Sequence, residues 1–294
     1  MNNESNLQVK RKNENSSLHL SPARSGLIAR GRGDAEMLAK PSPPQSTDWL
    51  PETRRRAEEG NASAQRNLGD GYYEGTAVPQ DFAEAAMWYR KAAEQGFGPA
   101  QQSLGRLYRD GRGVPQDFAE ALRWYLKAAA CSPFGHEAKI ELGLSYYHGI
   151  GVSQDFAEGV KWFREAMPSI MGYAELYLGQ AYANGRGVPQ DYAEAVRLWR
   201  IAADSEDGTS GDAQYMLGHA YCWGDGVPRD HILAYMWYAL ATAYSCDRKQ
   251  EARAKSRDDV AKLLTCEQLD EARRLAREWD VERFGSEIDF AVGS

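Results

Sequence analysis

Pairs of carboxylates are the residues of this chain that most resemble catalytic machinery. Four times an aspartate is followed three residues later by a glutamate: Asp81/Glu84, Asp117/Glu120, Asp155/Glu158 and Asp191/Glu194. Two carboxylates held close together can act as a general acid and a general base. An active site is needed only once, however, and these pairs recur at the starts of helix-like segments. There the aspartate can cap the first amides while the glutamate reaches back to the amide of the cap. The recurrence therefore predicts helix caps.

The spacing of the histidines and a search for catalytic motifs also give no sign of an active site. No two of the five histidines (His19, His136, His148, His219 and His231) lie three or four residues apart, the spacing of metal ligands on a helix. The chain has no G-x-S-x-G elbow, no S-x-x-K with K-T-G, no phosphate-binding G-x4-G-K-[ST] and no H-E-x-x-H. We therefore predict no catalytic residue, no metal ion and no cofactor.

The segments that carry the aspartates form an internal repeat. A Leu-Gly dipeptide recurs every 36 to 39 residues, with its glycine at Gly69, Gly105, Gly143, Gly179 and Gly218. An alanine lies five residues before each of these glycines, and a tyrosine lies three residues after it. A period of this length is typical of a solenoid built from repeated structural units.

Each repeat is interpreted as a helix A, a tight loop and a helix B. In the first helix A, Ala64, Leu68 and Tyr72 form one apolar stripe. The central glycine costs a helix about 1 kcal/mol relative to alanine, so its recurrence indicates that another helix approaches closely. A second glycine ends helix A, and the aspartate then caps helix B. Helix B carries an aromatic anchor, which is Trp88, Trp124, Trp162 or Trp237, with Leu198 in the fourth repeat.

Composition and repeats divide the chain into four parts. Residues 1–48, rich in Asn, Ser, Pro and Gly, are predicted to be a disordered tail. Residues 49–63 are predicted to form an N-terminal half-repeat cap, and residues 64–245 the five repeats. Residues 246–294 are predicted to form a C-terminal helical cap and a short tail, and one cap helix opens with a Thr265/Gln268 capping box.

The bulk properties exclude several classes of protein. With 43% hydrophobic and 26% charged residues among 294, the chain is globular, and no apolar run is long enough for a membrane span. The net charge is −7, with +3 on residues 1–40 and −10 on the remainder, which argues against binding nucleic acid. The four cysteines show no paired spacing and no signal-peptide pattern is present, so we expect free thiols, a cytoplasmic location and a monomer.

The repeat resembles a known family. Residues 100–129 contain almost the whole pattern A-x3-LG-x2-Y-x2-G-x-GV-x2-D-x3-A-x2-W-x3-AA, which is similar to the Sel1-like repeats, relatives of the tetratricopeptide repeats. The resemblance covers about residues 61–244 and implies an all-α, right-handed α/α solenoid of helix-turn-helix repeats. It also implies a scaffold or adaptor that binds a protein or peptide, in signalling, protein quality control or cell-envelope processes. The alternatives are a hydrolase or β-lactam-binding enzyme, or a cell-envelope-associated regulatory protein.

The resemblance also indicates a binding surface, because helix A lines the concave face in related helix-pair solenoids. The residues two, six and nine positions after the first alanine of helix A should then point into the groove. From these positions we predict the following partner-binding residues: Arg66, Asp70, Tyr73, Gln102, Arg106, Arg109, Tyr147, Gln180, Tyr215 and His219. The apolar residues at these positions, Ile140, Leu144 and Leu176, either form a hot spot in the groove or bury against neighbouring helices.

Overall fold

A computed structural model describes residues 49–131, 135–167, 172–205, 210–243 and 249–284. Within these ranges the chain is all-α, and the segment predicted to be disordered lies outside them. The helices are α1 (Trp49–Glu58), α2 (Ala62–Glu74), α3 (Phe82–Glu94), α4 (Gly98–Asp110), α5 (Phe118–Ala129), α6 (His136–His148), α7 (Phe156–Ala166), α8 (Tyr173–Asn184), α9 (Tyr192–Ala203), α10 (Ser210–Trp223), α11 (His231–Ala243), α12 (Gln250–Ala261) and α13 (Cys266–Phe284).

The helices are arranged as the repeat predicts. Five pairs, from α2/α3 to α10/α11, correspond to helix A and helix B of the five repeats. Each helix from α1 to α11 packs against the next one in the chain, and α13 packs back onto α11. Contact between neighbours in sequence is the property that defines a solenoid, in which each unit completes the core of the next. The predicted all-α solenoid is confirmed.

The central glycine of helix A receives an aromatic ring from helix B of the same repeat. A Cβ atom on Gly69 would lie 2.6 Å from the Tyr89 ring, and one on Gly105 would lie 2.7 Å from the Tyr125 ring. Phe163, Trp199 and Tyr238 occupy the same place in the other three repeats. Because real Cβ contacts are not this short, only glycine admits the ring here. The close approach was predicted, but the aromatic residue that makes it was not identified from the sequence.

Replacing Gly105 by alanine should therefore destabilise the protein, although alanine favours a helix by about 1 kcal/mol. Overpacking of this kind lowers the free energy of unfolding by about 1–3 kcal/mol, which urea denaturation followed by circular dichroism would measure. In a Tyr125→Leu background, where the ring is absent, the same substitution should cost less. A Gly105→Ala variant more stable than the wild type would show that the contact is not tight.

The predicted tryptophan anchors are buried in three repeats of four. Trp88, Trp124 and Trp237 are at most 8% exposed, and Leu198 is fully buried in the fourth repeat. Trp162 is only half-buried, at the edge of a cluster around Tyr125. The anchor therefore lies beside the aromatic ring that fills the glycine slot, and the two together form the apolar face of helix B.

The aspartates cap helix B as predicted, but the glutamates do not complete a capping box. Asp81 accepts hydrogen bonds from the backbone amides of Ala83 and Glu84, and the other four aspartates cap their helices in the same way. The backbone amide of each aspartate donates to the carbonyl of the helix A tyrosine, as Asp117 does to Tyr108 at 2.9 Å. The amide of the aspartate therefore already donates to a carbonyl. It does not donate to the glutamate carboxylate, and the predicted capping box is wrong.

The glutamates turn instead toward the next turn of their own helix. Glu120, Glu158 and Glu194 pair with the basic residue three positions later, at distances of 2.6 to 3.1 Å. At Thr265 the complete box does form, because Thr265 and Gln268 each accept from the backbone amide of the other. The reciprocal bond therefore forms where no helix A carbonyl competes for the amide of the cap.

The two capping residues should differ in their effect on stability. Asp117→Ala should lower the free energy of unfolding by about 1 kcal/mol through the lost cap. Glu120→Ala removes only an exposed pair and should cost about 0.3–0.5 kcal/mol or less. Thermal denaturation of the two variants side by side would compare them, and equal losses would mean that the glutamate shares the capping role after all.

Candidate functional site: the helix A face

The helix A face consists of the residues two, six and nine positions after the first alanine in α2, α4, α6, α8 and α10. Six of the ten predicted residues are partly exposed there: Arg66, Asp70, Tyr73, Gln102, Arg106 and Tyr215. The other four, Arg109, Tyr147, Gln180 and His219, are buried, so the expectation that they line an open groove is not met. Five of the six partly exposed residues belong to the first two repeats. Sequence register alone could not show this, because register within one repeat does not say which positions become buried when the repeats pack together.

The apolar residues of this face are mostly inside the protein. Ile140 is 5% exposed and packs with Tyr147 and Phe163, while Leu176 is 1% exposed in the core of the last repeats. Leu144 is half-buried against the same cluster as Ile140. Of the two alternatives left open by the sequence, burial against neighbouring helices is the one observed for Ile140 and Leu176.

In the first repeat the face is held by polar contacts within and between repeats. Arg66 and Asp70 form an ion pair at 2.8 Å along α2, and Asp70 also accepts a hydrogen bond from the Tyr89 hydroxyl at 2.7 Å. The ring that fills the glycine slot therefore brings its hydroxyl to this face. Tyr73 packs edge-on against Phe82 and accepts a hydrogen bond from Arg112 of the next repeat at 3.0 Å.

Two ion pairs cross from the second repeat to the third. Arg106 of α4 pairs with Glu137 of α6, and Arg109 pairs with Glu141 one turn further along. Arg109 also contacts Asp110 at 2.8 Å. Sequence reasoning selected both arginines but missed both glutamates. The signal that could have found them is two acidic residues, four positions apart in one helix A, opposite two arginines three apart in the preceding one.

These ion pairs differ in their surroundings. Arg106 and Glu137 are about one third exposed at the surface, whereas Arg109 and Glu141 are buried. Burial raises the pKa of Glu141, and the guanidinium groups of Arg109 and Arg106 act against that rise. Burial likewise raises the pKa of Tyr125, whose hydroxyl lies in the field of the same charges. A buried pair of this kind is costly to break, because the remaining charge is left without compensation.

Aromatic contacts replace the charges at the next junction. Tyr177 of α8 stacks on Phe163 of the third repeat with the ring centroids 5.5 Å apart, and within the third repeat Tyr147 meets Phe156 edge-on at 5.0 Å. His148 completes the group against Tyr177. The helix A face thus changes from partly exposed charged side chains in α2 and α4 to mostly buried residues in α6 and α8.

The chemistry available on this face is that of recognition by charge and hydrogen bonding. Among the described residues no group of three or more His, Cys, Asp or Glu side chains is arranged to hold a metal ion. None of the helices described is both long and apolar enough to cross a membrane. Arginine, carboxylate and amide groups that are held in place by neighbouring repeats are suited to contact polar groups of another macromolecule.

Stacked helix pairs with a glycine slot, a capped loop and a polar helix A face define an α/α repeat protein of the tetratricopeptide-like class. A model of the Sel1 repeat matches residues 62–97, 98–133, 136–166, 172–207 and 211–243, which is more than half of the chain. The chain therefore belongs to the Sel1 repeat family, and the predicted resemblance is confirmed.

Two solved structures are similar to this chain, and the first of them supports the fold. A Sel1 repeat protein from Oxalobacter formigenes is 29% identical with a TM-score of 0.62, and the match covers 75% of this chain and 89% of that one. A protective antigen of uropathogenic Escherichia coli strains, displaying an SLR fold, is 21% identical with a TM-score of 0.49, and the match covers 84% and 83% of the two chains. No curated protein sequence matches this chain.

Breaking the buried ion pair at one end should cost more than removing both ends. Arg109→Met leaves Glu141 buried and unpaired, and should lower the free energy of unfolding by about 3–5 kcal/mol at neutral pH. Arg109→Met/Glu141→Leu removes both charges and should cost clearly less, as measured by urea denaturation.

The single variant should also depend on pH in a defined direction. Burial raises the pKa of Glu141, so the folded state favours its protonated form. The loss in free energy of unfolding caused by Arg109→Met is therefore expected to grow as pH rises through the folded-state pKa of Glu141. It should shrink as pH falls below that pKa. A double variant as unstable as the single one, with no pH dependence in either, would mean that the pair contributes only packing.

Proposed function

We propose that this protein is a non-enzymatic interaction scaffold that binds a segment of a partner protein along the helix A face of its first two repeats. Sel1 repeat proteins are in general scaffolds for protein–protein interaction. The partner segment would contact the predicted residues that keep exposed surface, chiefly Arg66, Asp70, Gln102 and Arg106. The buried predicted residues would support this surface from below.

One observation carries the proposal: the only run of partly exposed charged residues at the predicted positions lies on α2 and α4. Arg66 and Asp70 are paired within one helix, and Arg106 is paired with Glu137 of the next helix A. Partly exposed ion pairs of this kind contribute little to the stability of the fold. They hold charged groups at fixed positions, where a partner can contact them. A partner that meets groups already held in place loses less conformational entropy on binding.

A cytoplasmic location and a monomeric state are proposed as well. Cys131, Cys222 and Cys266 are free thiols, which supports the proposed cytoplasmic location. We propose that the protein acts as a monomer, since a net charge of −7 opposes contact between copies. No observation on the described residues favours the hydrolase, the β-lactam-binding enzyme or the cell-envelope regulator over the scaffold.

The test compares two surface variants of the full chain in affinity capture from extracts of the native host. Arg66→Ala/Gln102→Glu changes the charge of the helix A face and keeps the residues of the Arg106–Glu137 and Arg109–Glu141 pairs. Arg197→Ala, which removes an exposed arginine of helix B in the fourth repeat, is the matched control. Quantitative mass spectrometry should find at least one protein that the wild type and the control recover and the helix A variant loses more than tenfold. Identical recovery by all three proteins, with helical circular dichroism intact, would place the binding surface elsewhere.

A further inference from the structure

A contact between an arginine and a tyrosine recurs between repeats. An arginine near the end of helix B donates to the tyrosine hydroxyl of the following helix A. The pairs are Arg54–Tyr72, Arg90–Tyr108, Arg164–Tyr182 and Arg200–Tyr221. In α1, α3 and α9 the arginine is also followed four positions later by an acidic residue, Glu58, Glu94 or Asp204.

Helix α5 departs from this pattern at both positions. Leu126 stands where α1, α3, α7 and α9 have the arginine, and Ala130 stands where three of them have the acid. Leu126 is 40% exposed, although its counterparts in those four helices are charged. Tyr146 of α6, which corresponds to the tyrosines of those pairs, has a leucine in place of an arginine at the matching position of the preceding helix B. At the junction between the second and third repeats, an apolar side chain thus replaces the charged one.

The start of α5 departs from the pattern as well. Arg112 covers the Phe82 ring at 5.4 Å, and Arg186 covers the Phe156 ring at the same distance. The residue that would cover Phe118 in this way is Ile150. Phe118 is 36% exposed, more than the aromatic residue at this position in the other repeats. Both arginine contacts are therefore absent at the same junction.

These changes place apolar side chains with exposed surface in a row along one helix. Phe118, Leu122 and Leu126 are spaced four residues apart and share one face of α5, with the exposed Ala119 and Ala130 beside them. We call these five residues the α5 strip. Single exposed apolar residues are ordinary on protein surfaces, whereas a contiguous apolar strip marks an interaction site.

We propose that the α5 strip docks a short amphipathic helix of another protein, with apolar side chains at helical spacing and acidic residues along one flank. The acidic flank is inferred from Arg123, which borders the strip and whose side chain is 74% exposed. Its ion pair is with Glu120 of the same helix, an exposed contact that contributes little and is easily exchanged. Apolar anchors on one helix face and a charge at the rim are the usual elements of helix recognition.

A second copy of this chain fits the strip less well. The strip is one face of a 12-residue helix about 18 Å long, and a stable dimer needs about 800 Å² from each partner. Two copies would also bring together chains that each carry a net charge of −7. A short helix needs less surface and can supply the acidic groups that Arg123 selects.

The test measures binding of a synthetic probe to the full-length protein. The probe is a fluorescein-labelled 16-residue helical peptide with leucines at every fourth position of one face and glutamates along one flank. Fluorescence anisotropy should show binding to the wild type and a loss of about tenfold or more with Leu126→Arg. This substitution restores the arginine of the other repeats, so the variant should fold normally. Ile201→Arg is the matched control, because Ile201 is 44% exposed but stands alone, and it should bind like the wild type.

A charge exchange tests the chemistry of the flank. Arg123→Glu should weaken binding of the glutamate probe, and a probe with lysines in the same positions should bind this variant better than the wild type. Equal binding of the glutamate probe by the wild type and Leu126→Arg, or no binding by the wild type, would overturn the proposal. So would tighter probe binding after removal of residues 1–48, or a dimer in sedimentation velocity that Leu126→Arg dissolves. The Arg66→Ala/Gln102→Glu variant should keep full probe binding, which separates this surface from the helix A face.

Discussion

The contact between the helix A glycine and an aromatic ring of helix B is the constraint on which this fold depends. It is present in each repeat, and the ring belongs to tyrosine, phenylalanine or tryptophan while the glycine never changes. A Cβ atom on Gly179 would lie 2.5 Å from Trp199, so even the largest ring uses the same space. The glycine costs the helix about 1 kcal/mol relative to alanine, and burial of an aromatic ring stabilises the fold by more than that. The helix pair is thus fixed within each repeat before any contact between repeats is considered.

The junctions between repeats, in contrast, use different chemistry on the same backbone arrangement. The second and third repeats are joined by Arg109 and Glu141, while the third and fourth are joined by stacking of Tyr177 on Phe163. At the C-terminal end α12 takes the place of a further helix A, and Arg253 pairs with Asp212 of α10. Helix α13 then covers Trp237 with Trp279, whose rings meet edge-on at 5.4 Å. Because a repeat needs only a complementary neighbour, its junction residues are free to differ from one repeat to the next.

This freedom is also where recognition can arise. Residues shared by all repeats serve packing and capping, and they say little about what this protein binds. The informative positions are those where one repeat departs from the others, such as Leu126 in place of an arginine or Ile150 in place of a loop arginine. The partly exposed charges of α2 and α4 are a second departure, because the same positions hold buried or apolar residues further along the chain. The two proposed surfaces are therefore read from differences between repeats on a common framework.

The sequence by itself determined the period, the helix pairs, the position of each loop and the aspartate caps. These features depend on residues that are close together in the chain. The same residues recur in five repeats, so the pattern did not arise by chance. Only the tertiary structure decided which ring fills the glycine slot and whether the glutamate completes the cap, since a tyrosine carbonyl nine residues before the aspartate takes its amide. It also decided which predicted residues are exposed. Arg109 meets Glu141, 32 positions away, and Tyr147, Gln180 and His219 are buried. The exposure of a residue depends on how neighbouring repeats pack against it. The position of the residue within its own repeat does not determine this packing.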